Sequence, residues 1–316
     1  MVKLCLVVPC YNEEEVLPET SRRLLAKLDA LRESGRISPD SRILLVDDGS
    51  KDRTWELIER LHVEHASFWG VKLAHNRGHQ NALFAGLMTA KEYADAVISL
   101  DADLQDDIDA IDRFLDAFEK GNDIVYGVRS ARATDTMFKR GTARAFYGLM
   151  GKLGADIVPD HADYRLMSRR ALEALSEYRE VNLFLRGIVP LIGFSCAFVS
   201  YERHERFAGE SKYPLRKMLA FAVDGVTSFS VKPIRMISGL GVLIFAVSAL
   251  LLLYFLVVKL MGNAVQGWTT LALSIWALGG IQLFSLGVIG EYVGKVYQEV
   301  KARPKYLVET FLDDHR

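Results

Sequence analysis

The chain has 316 residues, of which 50% are hydrophobic, and a formal net charge of −1 at pH 7. That length suits one large or two ordinary domains, and the near-neutral balance excludes the global basic field by which nucleic acid is bound. Three cysteines, Cys5, Cys10 and Cys196, form neither a spaced metal pattern nor an even disulfide set, so reduced thiols in a cytosolic setting are expected.

In chain order, Val2 to Val8 is a near-continuous apolar run, as in a strand covered on both faces. It is too short for a signal peptide and is followed by Glu13, Glu14 and Glu15. Leu17, Leu24, Leu28 and Leu31 then keep helical spacing. Arg42 to Val46 is a second strand ending in Asp47-Asp48-Gly49-Ser50, and Trp55, Ile58 and Leu61 share the face of a following helix. Phe68 to Leu73 is a third strand, ending in His75-Asn76-Arg77-Gly78-His79-Gln80, and a helix from about Asn81 to Tyr93 follows. Val97, Ile98 and Leu100 read as a buried strand that runs abruptly into Asp101-Ala102-Asp103-Leu104-Gln105. Asp107 and Asp109 read as an acidic first helical turn complementing the helix dipole. Asp123 to Tyr126 is a fifth strand, ending in Gly127-Val128-Arg129.

Strand and helix alternate, which argues for a largely parallel sheet with helices on both faces. Polar clusters after each strand then fall at one edge, where open α/β sheets bind ligands. Asp101 and Asp103, one residue apart at a strand end, can converge on a hard cation such as Mg²⁺ or Mn²⁺, which takes oxygen ligands and bridges to phosphates. Alone, the pair is a weak signal that a solvated turn also explains. The histidines sit on different elements without cysteine partners, against a zinc site.

After Arg129 the alternation loosens. Lys139, Arg140 and Arg144 form a basic run that fits either a phosphate cover or a solvated helix face. Asp163-Tyr164-Arg165-Leu166-Met167 joins an acid to a buried-looking run; a loop carboxylate paired with Arg165 is the plain reading. Ala197 to Tyr201 fits a late strand, and Leu215 to Val231 an amphipathic helix able to lie in a membrane interface. From Met236 to Val258, and again from Leu260 to Gly290, there is no charged residue. Each stretch exceeds the roughly 20 apolar residues that a spanning helix needs. A two-helix transmembrane hairpin is expected over about 236–260 and 267–291, with a buried core hairpin as the alternative. Lys232 and Arg235 before it, and Lys295, Lys301, Arg303 and Lys305 after it, place both flanks in the cytoplasm by the positive-inside rule.

The motifs Pro9-x-Tyr11-Asn12-Glu13, Val46-Asp47-Asp48-Gly49-Ser50, Asn76-x-Gly78-His79-Gln80-x-Ala82, Asp101-Ala102-Asp103-Leu104-Gln105, Asp163-Tyr164-Arg165-Leu166-Met167 and Gly209-Glu210-Ser211-Lys212-Tyr213 occur in that order, ahead of the hairpin. Over essentially its whole length the chain resembles the GT-A-fold family-2 glycosyltransferases, and within them the polyprenyl-phosphate glycosyltransferases. The undecaprenyl-phosphate (bactoprenol) branch is nearer than the dolichol-phosphate mannosyltransferases. One departure is Asp106-Asp107-Ile108, where the family usually carries a proline pair.

The resemblance implies an α/β GT-A (Rossmann-like) nucleotide-sugar-binding domain over 1–206. It further implies a juxtamembrane amphipathic segment over 207–235, the hairpin over 236–293 and a cytoplasmic tail over 294–316. It implies that Pro9, Tyr11, Glu13 and Asp48 line a uridine pocket. Asp101, Asp103 and Gln105 would hold Mg²⁺ or Mn²⁺ against the diphosphate. Asp163 would stand at the reacting centre, with Asp103 as its catalytic companion. Arg129 and Arg140 would receive donor phosphate, and Arg206, Ser211 and Lys212 the acceptor phosphate. The expected partners are a UDP-sugar, undecaprenyl phosphate, membrane lipid and further copies of the chain, at the inner (plasma) membrane with a cytoplasmic catalytic domain. Glucose is the first expectation, with mannose, N-acetylglucosamine and galactose open. A processive synthase would need more spans and a Gln-x-x-Arg-Trp motif, which is absent. A membrane-anchored nucleotide-sugar binding module is the non-enzymatic rival, and a transporter of lipid-linked sugar finds little pathway in two spans.

Overall fold

A computed structural model describes residues 1–129, 161–181, 183–202, 234–239, 267–314 and scattered positions between 241 and 261. The chain divides into two compact units, one of Met1–Arg144, Ile157–Tyr213 and Ala302–Arg316, the other of Ala145–Asp156 and Pro214–Lys301.

The first unit carries eight strands and six helices among the described residues: β1 Leu4–Cys10, α1 Leu17–Glu33, β2 Arg42–Asp47, α2 Thr54–Glu64, β3 Phe68–Leu73, α3 His79–Ala90, β4 Ala96–Ser99, α4 Ala110–Glu119, β5 Ile124–Arg129, β6 His161–Ser168, α5 Arg169–Ser176, α6 Leu185–Leu191, β7 Cys196–Tyr201 and β8 Val308–Leu312. They form one sheet in the order β7-β5-β6-β4-β1-β2-β3-β8. β1 pairs in parallel with β2 and β4, β2 with β3, and β5 with β7. β6 runs antiparallel between β4 and β5, and β8 antiparallel along β3. The other six strands therefore end at one rim, as the alternation of strand and helix requires.

β1 is buried throughout because it lies at mid-sheet with helices on both faces. It runs past the expected Val8 to include Pro9, which pairs with Val46 but lies beyond the last β4 partner, Val7 opposite Ser99. The missing N–H of proline thus falls where the ladder to β4 has already stopped. α1 buries Leu17, Leu24, Leu28 and Leu31 on one face, and α3 packs so close to the sheet that a Cβ on Gly86 would lie 2.4 Å from Val7 Cγ1. α3 starts at His79, two residues ahead of expectation. α4 starts at Ala110, so Asp107 and Asp109 precede the helix. Asp107 accepts the Asp109 N–H (2.9 Å), and Asp109 pairs with Lys27 (2.7 Å).

β6 and β8 are the elements that the sequence pattern did not mark as strands. The last residues, expected as a tail, add β8 to the outer edge of β3. Arg42 and the Trp69 indole N–H both reach Asp314, each at 2.9 Å.

In the second unit the described part is dominated by α7, Trp268–Lys301. Among the described residues no helix is long and apolar enough to cross a membrane, and the expected hairpin is not established there. Most of its first span lies outside the described residues, as do Arg140, Arg206, Ser211, Lys212 and the amphipathic stretch 215–231.

Candidate active site

The rim is assembled by side chains that tie one strand end to the next. After β1, Asn12 takes a left-handed conformation (φ 54°). Its N–H donates to Ser50 Oγ and its Oδ1 accepts the Lys51 N–H. The Glu13 N–H donates to Thr54 Oγ1. These bonds set the Tyr11–Glu13 segment against the turn after β2. That turn needs Gly49, whose φ is 65° and whose Cβ, were there one, would lie 2.6 Å from the Asn76 nitrogen.

Asp48 is buried and accepts the Arg77 N–H (2.7 Å) on one carboxylate oxygen and the Gly78 N–H (2.9 Å) on the other. Burial raises its carboxyl above the usual range, against the pull of those two donors. Asp48 therefore shapes the β3–α3 loop, and Tyr11, just past the end of β1, is exposed.

At the end of β4 the Leu100 N–H donates to Val7 O, and Thr20 Oγ1 of α1 donates to Ala102 O (2.7 Å). Asp103 accepts the Gln105 N–H, with Leu104 between them in a left-handed conformation (φ 58°). Asp101, Asp103 and Gln105 are thus displayed by a segment braced on both sides. The Asp101 carboxyl is pushed up to about 6 by burial and by the carboxylates of Asp106, Asp163 and Asp103, with His79 opposing. Asp101, Asp103 and Gln105 offer oxygen donors only, the donor set that a hard divalent cation takes. Among the described residues no group of three or more His, Cys, Asp or Glu is arranged to hold a metal ion. The expected set is two carboxylates and an amide.

Beside it lies Asp106, which accepts from Tyr201 Oη (2.6 Å). The Arg129 guanidinium at the end of β5 sits 3.8 Å from the same carboxylate oxygen and donates to Tyr201 Oη (3.3 Å).

The centre of the rim is Asp163 on β6, 5% exposed. It does pair with Arg165 (2.5 Å), but on a strand rather than in a loop, and in company. Arg186 Nη2 and Nε reach its two oxygens at 3.1 and 3.3 Å. Gln80 Nε2 donates to it at 3.2 Å. His79 Nε2 stands 3.5 Å from Asp163 and 3.7 Å from Asp101, bridging the two acids. Burial alone would raise the Asp163 carboxyl; His79, Arg186 and Arg165 outweigh it and hold the group well below the carboxylate range. Burial likewise opposes the His79 imidazolium, but Asp163 and Asp101 prevail and raise it. Gln80 also accepts the Leu185 N–H (3.0 Å), so the α3 start and the α6 start are joined across Asp163.

Sequence reasoning placed His79 and Gln80 in a motif without a role, and it missed Arg186. The available signal was a lone charge inside the apolar stretch Leu183–Leu191. The recess lined by Lys3, Arg42, Trp69, Tyr93 and Asp314 lies at the opposite strand ends and does not bear on this rim.

The family model for Glycosyl transferase family 2 matches residues 5–176. The uncharacterized glycosyltransferase YkoT of Bacillus subtilis is 55% identical over 306 residues, covering 97% of this chain and 91% of that protein. The uncharacterized glycosyltransferase YkcC of the same organism is 39% identical, covering 98% and 94%. The SfII prophage-derived bactoprenol glucosyl transferase of Shigella flexneri is 39% identical over 311 residues, covering 98% of each.

Proposed function

The chain belongs to glycosyl transferase family 2, with a mixed sheet of the GT-A type, and from that premise we propose that it transfers a hexose, glucose from UDP-glucose first, to undecaprenyl phosphate. The observation that carries this reading is the ionised Asp163, gripped by Arg165, Arg186, Gln80 and His79 beside Asp101 at the rim where the parallel strands end. The full-length match to a bactoprenol glucosyl transferase supports the acceptor.

In this reading Pro9, Tyr11, Glu13 and Asp48 take the uridine. Asp101, Asp103 and Gln105 hold Mg²⁺ or Mn²⁺, which when bound neutralises the charge gained by the departing diphosphate. Arg129, with Arg140, receives donor phosphate; Arg206, Ser211 and Lys212 receive the acceptor. An acceptor phosphate oxygen bonds to the anomeric carbon as the bond from that carbon to the diphosphate breaks and UDP leaves. A single in-line displacement inverts the centre, so an α-linked donor gives a β-linked lipid product.

The acceptor is a phosphate monoester with a second pKa of about 6, largely dianionic near neutrality, and needs no base to take its proton. Asp163 is correspondingly ill suited to be one, since its carboxyl is held ionised and its oxygens are engaged. Its work is electrostatic: it fixes the side chains of Arg186 and His79 toward the place where charge develops.

The lipid cannot leave the bilayer, so the rim must come to the headgroup plane. The 34-residue α7 supports attachment there, with Leu283, Phe284 and Leu286 between 62% and 73% exposed. The reading places the hairpin in the plasma membrane, the catalytic unit and both termini in the cytoplasm, and the chain in a homo-oligomer. The test is incubation of purified protein and undecaprenyl phosphate with a panel of nucleotide sugars, with and without chelator. Sugar must pass to the lipid from one donor above the rest and stop on chelation; nucleotide-sugar binding without transfer would leave only a binding module.

A further inference from the structure

Within the first unit, the residues just before β8 form a strap. The Ala74 N–H donates to Leu307 O (3.0 Å), so the strap is bonded to the residue that opens the β3–α3 loop. The Tyr306 ring meets Phe84 of α3 edge to face, with centroids 6.3 Å apart. Lys305 Nζ lies 4.3 Å from the centre of the same Phe84 ring and donates to the carbonyl oxygen of Tyr178 (2.9 Å). Phe84 is buried. It is one helical turn on from Gln80, on the same face of α3. Tyr178 opens the connection from α5 to α6, at whose far end Leu185 bonds Gln80 and Arg186 reaches Asp163.

A single ammonium group therefore touches both α3 and the connection that leads to α6, the two elements that close on Asp163. One contact is to the helix that carries His79 and Gln80. Another is to the connection that leads to Arg186. We infer that Lys305 is a positioning residue: it holds the α5–α6 connection against α3, so that Gln80 and Arg186 keep their places around Asp163. Its ammonium suits the task because it serves an acceptor oxygen and an aromatic face at once. The reach of the effect follows from the chemistry, since misplacing a charged group by about 1 Å can cost on the order of a hundredfold in rate.

The catalytic readout rests on the proposed glycosyl transfer; the structural readout does not. Full-length protein in detergent is compared with Lys305→Met and Lys305→Arg by hydrogen exchange and by steady-state transfer from UDP-glucose. In Lys305→Met, exchange of the amides of 178–186 rises about tenfold while those of β2 are unchanged. kcat falls about tenfold with the donor KM unchanged, and Lys305→Arg restores most of both. Phe84→Leu, which removes the ring beneath the ammonium, moves both readouts in the same direction and serves if the methionine variant does not fold. Unchanged exchange at 178–186, or a rise spread evenly through the sheet, overturns the inference, as does a wild-type kcat in Lys305→Met. Failure of the wild-type protein to transfer sugar at all would count against the proposed function, and the exchange data would still decide the role of Lys305.

Discussion

Replacing Asp163 by asparagine keeps the side-chain shape and removes the charge that organises the rim. The two carboxylate oxygens now accept from Arg165, Arg186 and Gln80. Asparagine offers one acceptor oxygen, and its NH₂ must then face a donor. Hydrogen bonds to charged groups are each worth about 1.5–3 kcal/mol, so losing those of one oxygen costs roughly 3 kcal/mol or more. Arg165, 1% exposed, also loses the counter-charge of Asp163. A domain of ordinary stability, about 5–15 kcal/mol, survives that loss. The rate does not, because Arg186 and His79 lose what aims them: transfer should fall on the order of a hundredfold. The assay follows label from UDP-glucose into undecaprenyl phosphate between pH 5.5 and 9, with urea denaturation of both proteins alongside. On the acid side, activity should decline with protonation of the acceptor phosphate in wild type and variant alike. A variant within about threefold of wild type would refute the reasoning. So would an acid limb present in wild type and missing from Asp163→Asn, because Asp163 would then be the titrating base.

Gly86→Ala should destabilise by about 1–3 kcal/mol in urea denaturation, since its Cβ would meet Val7 at 2.4 Å and Val46 at 2.8 Å; an unchanged midpoint would show that α3 can lift. Asp101→Asn, compared without metal, should raise the melting temperature by removing one of four clustered carboxylates, and should abolish transfer. A lower melting temperature would contradict the crowding. Hydrogen bonds from Arg22 and Arg23 lower the Glu19 carboxyl from 4.5 to about 2, so its contribution is present above 4.5 and lost as pH falls through about 2. The small melting-temperature deficit of Glu19→Gln at pH 6 should therefore close across that window; a deficit constant down to pH 2 would point to another cause.

How much the sequence disclosed depended on whether the signal was local. β1 to β5 were legible because each is an apolar run cut off by polar residues, and parallel pairing puts those cut-offs at one rim. β6 was not, because its buried positions include Asp163 and Arg165, which neutralise each other in the interior and mimic a loop pattern. β8 was invisible for another reason: it is held by Asp314 against Arg42 and Trp69, partners far away in sequence. Asp101 and Asp103 stood out because both acids lie on one strand end. The grip on Asp163 did not, since Gln80 and Arg186 approach it from different elements and only the fold brings them together.

The most direct test of the central claim is a structure of the protein with UDP and Mn²⁺ bound. The account predicts the diphosphate and the ion against Asp101, Asp103 and Gln105, with the uracil between Tyr11 and Asp48 and the open side of the diphosphate facing Arg186. Nucleotide bound away from Asp101 and Asp103, for instance at the opposite strand ends beside Arg42 and Trp69, would contradict it.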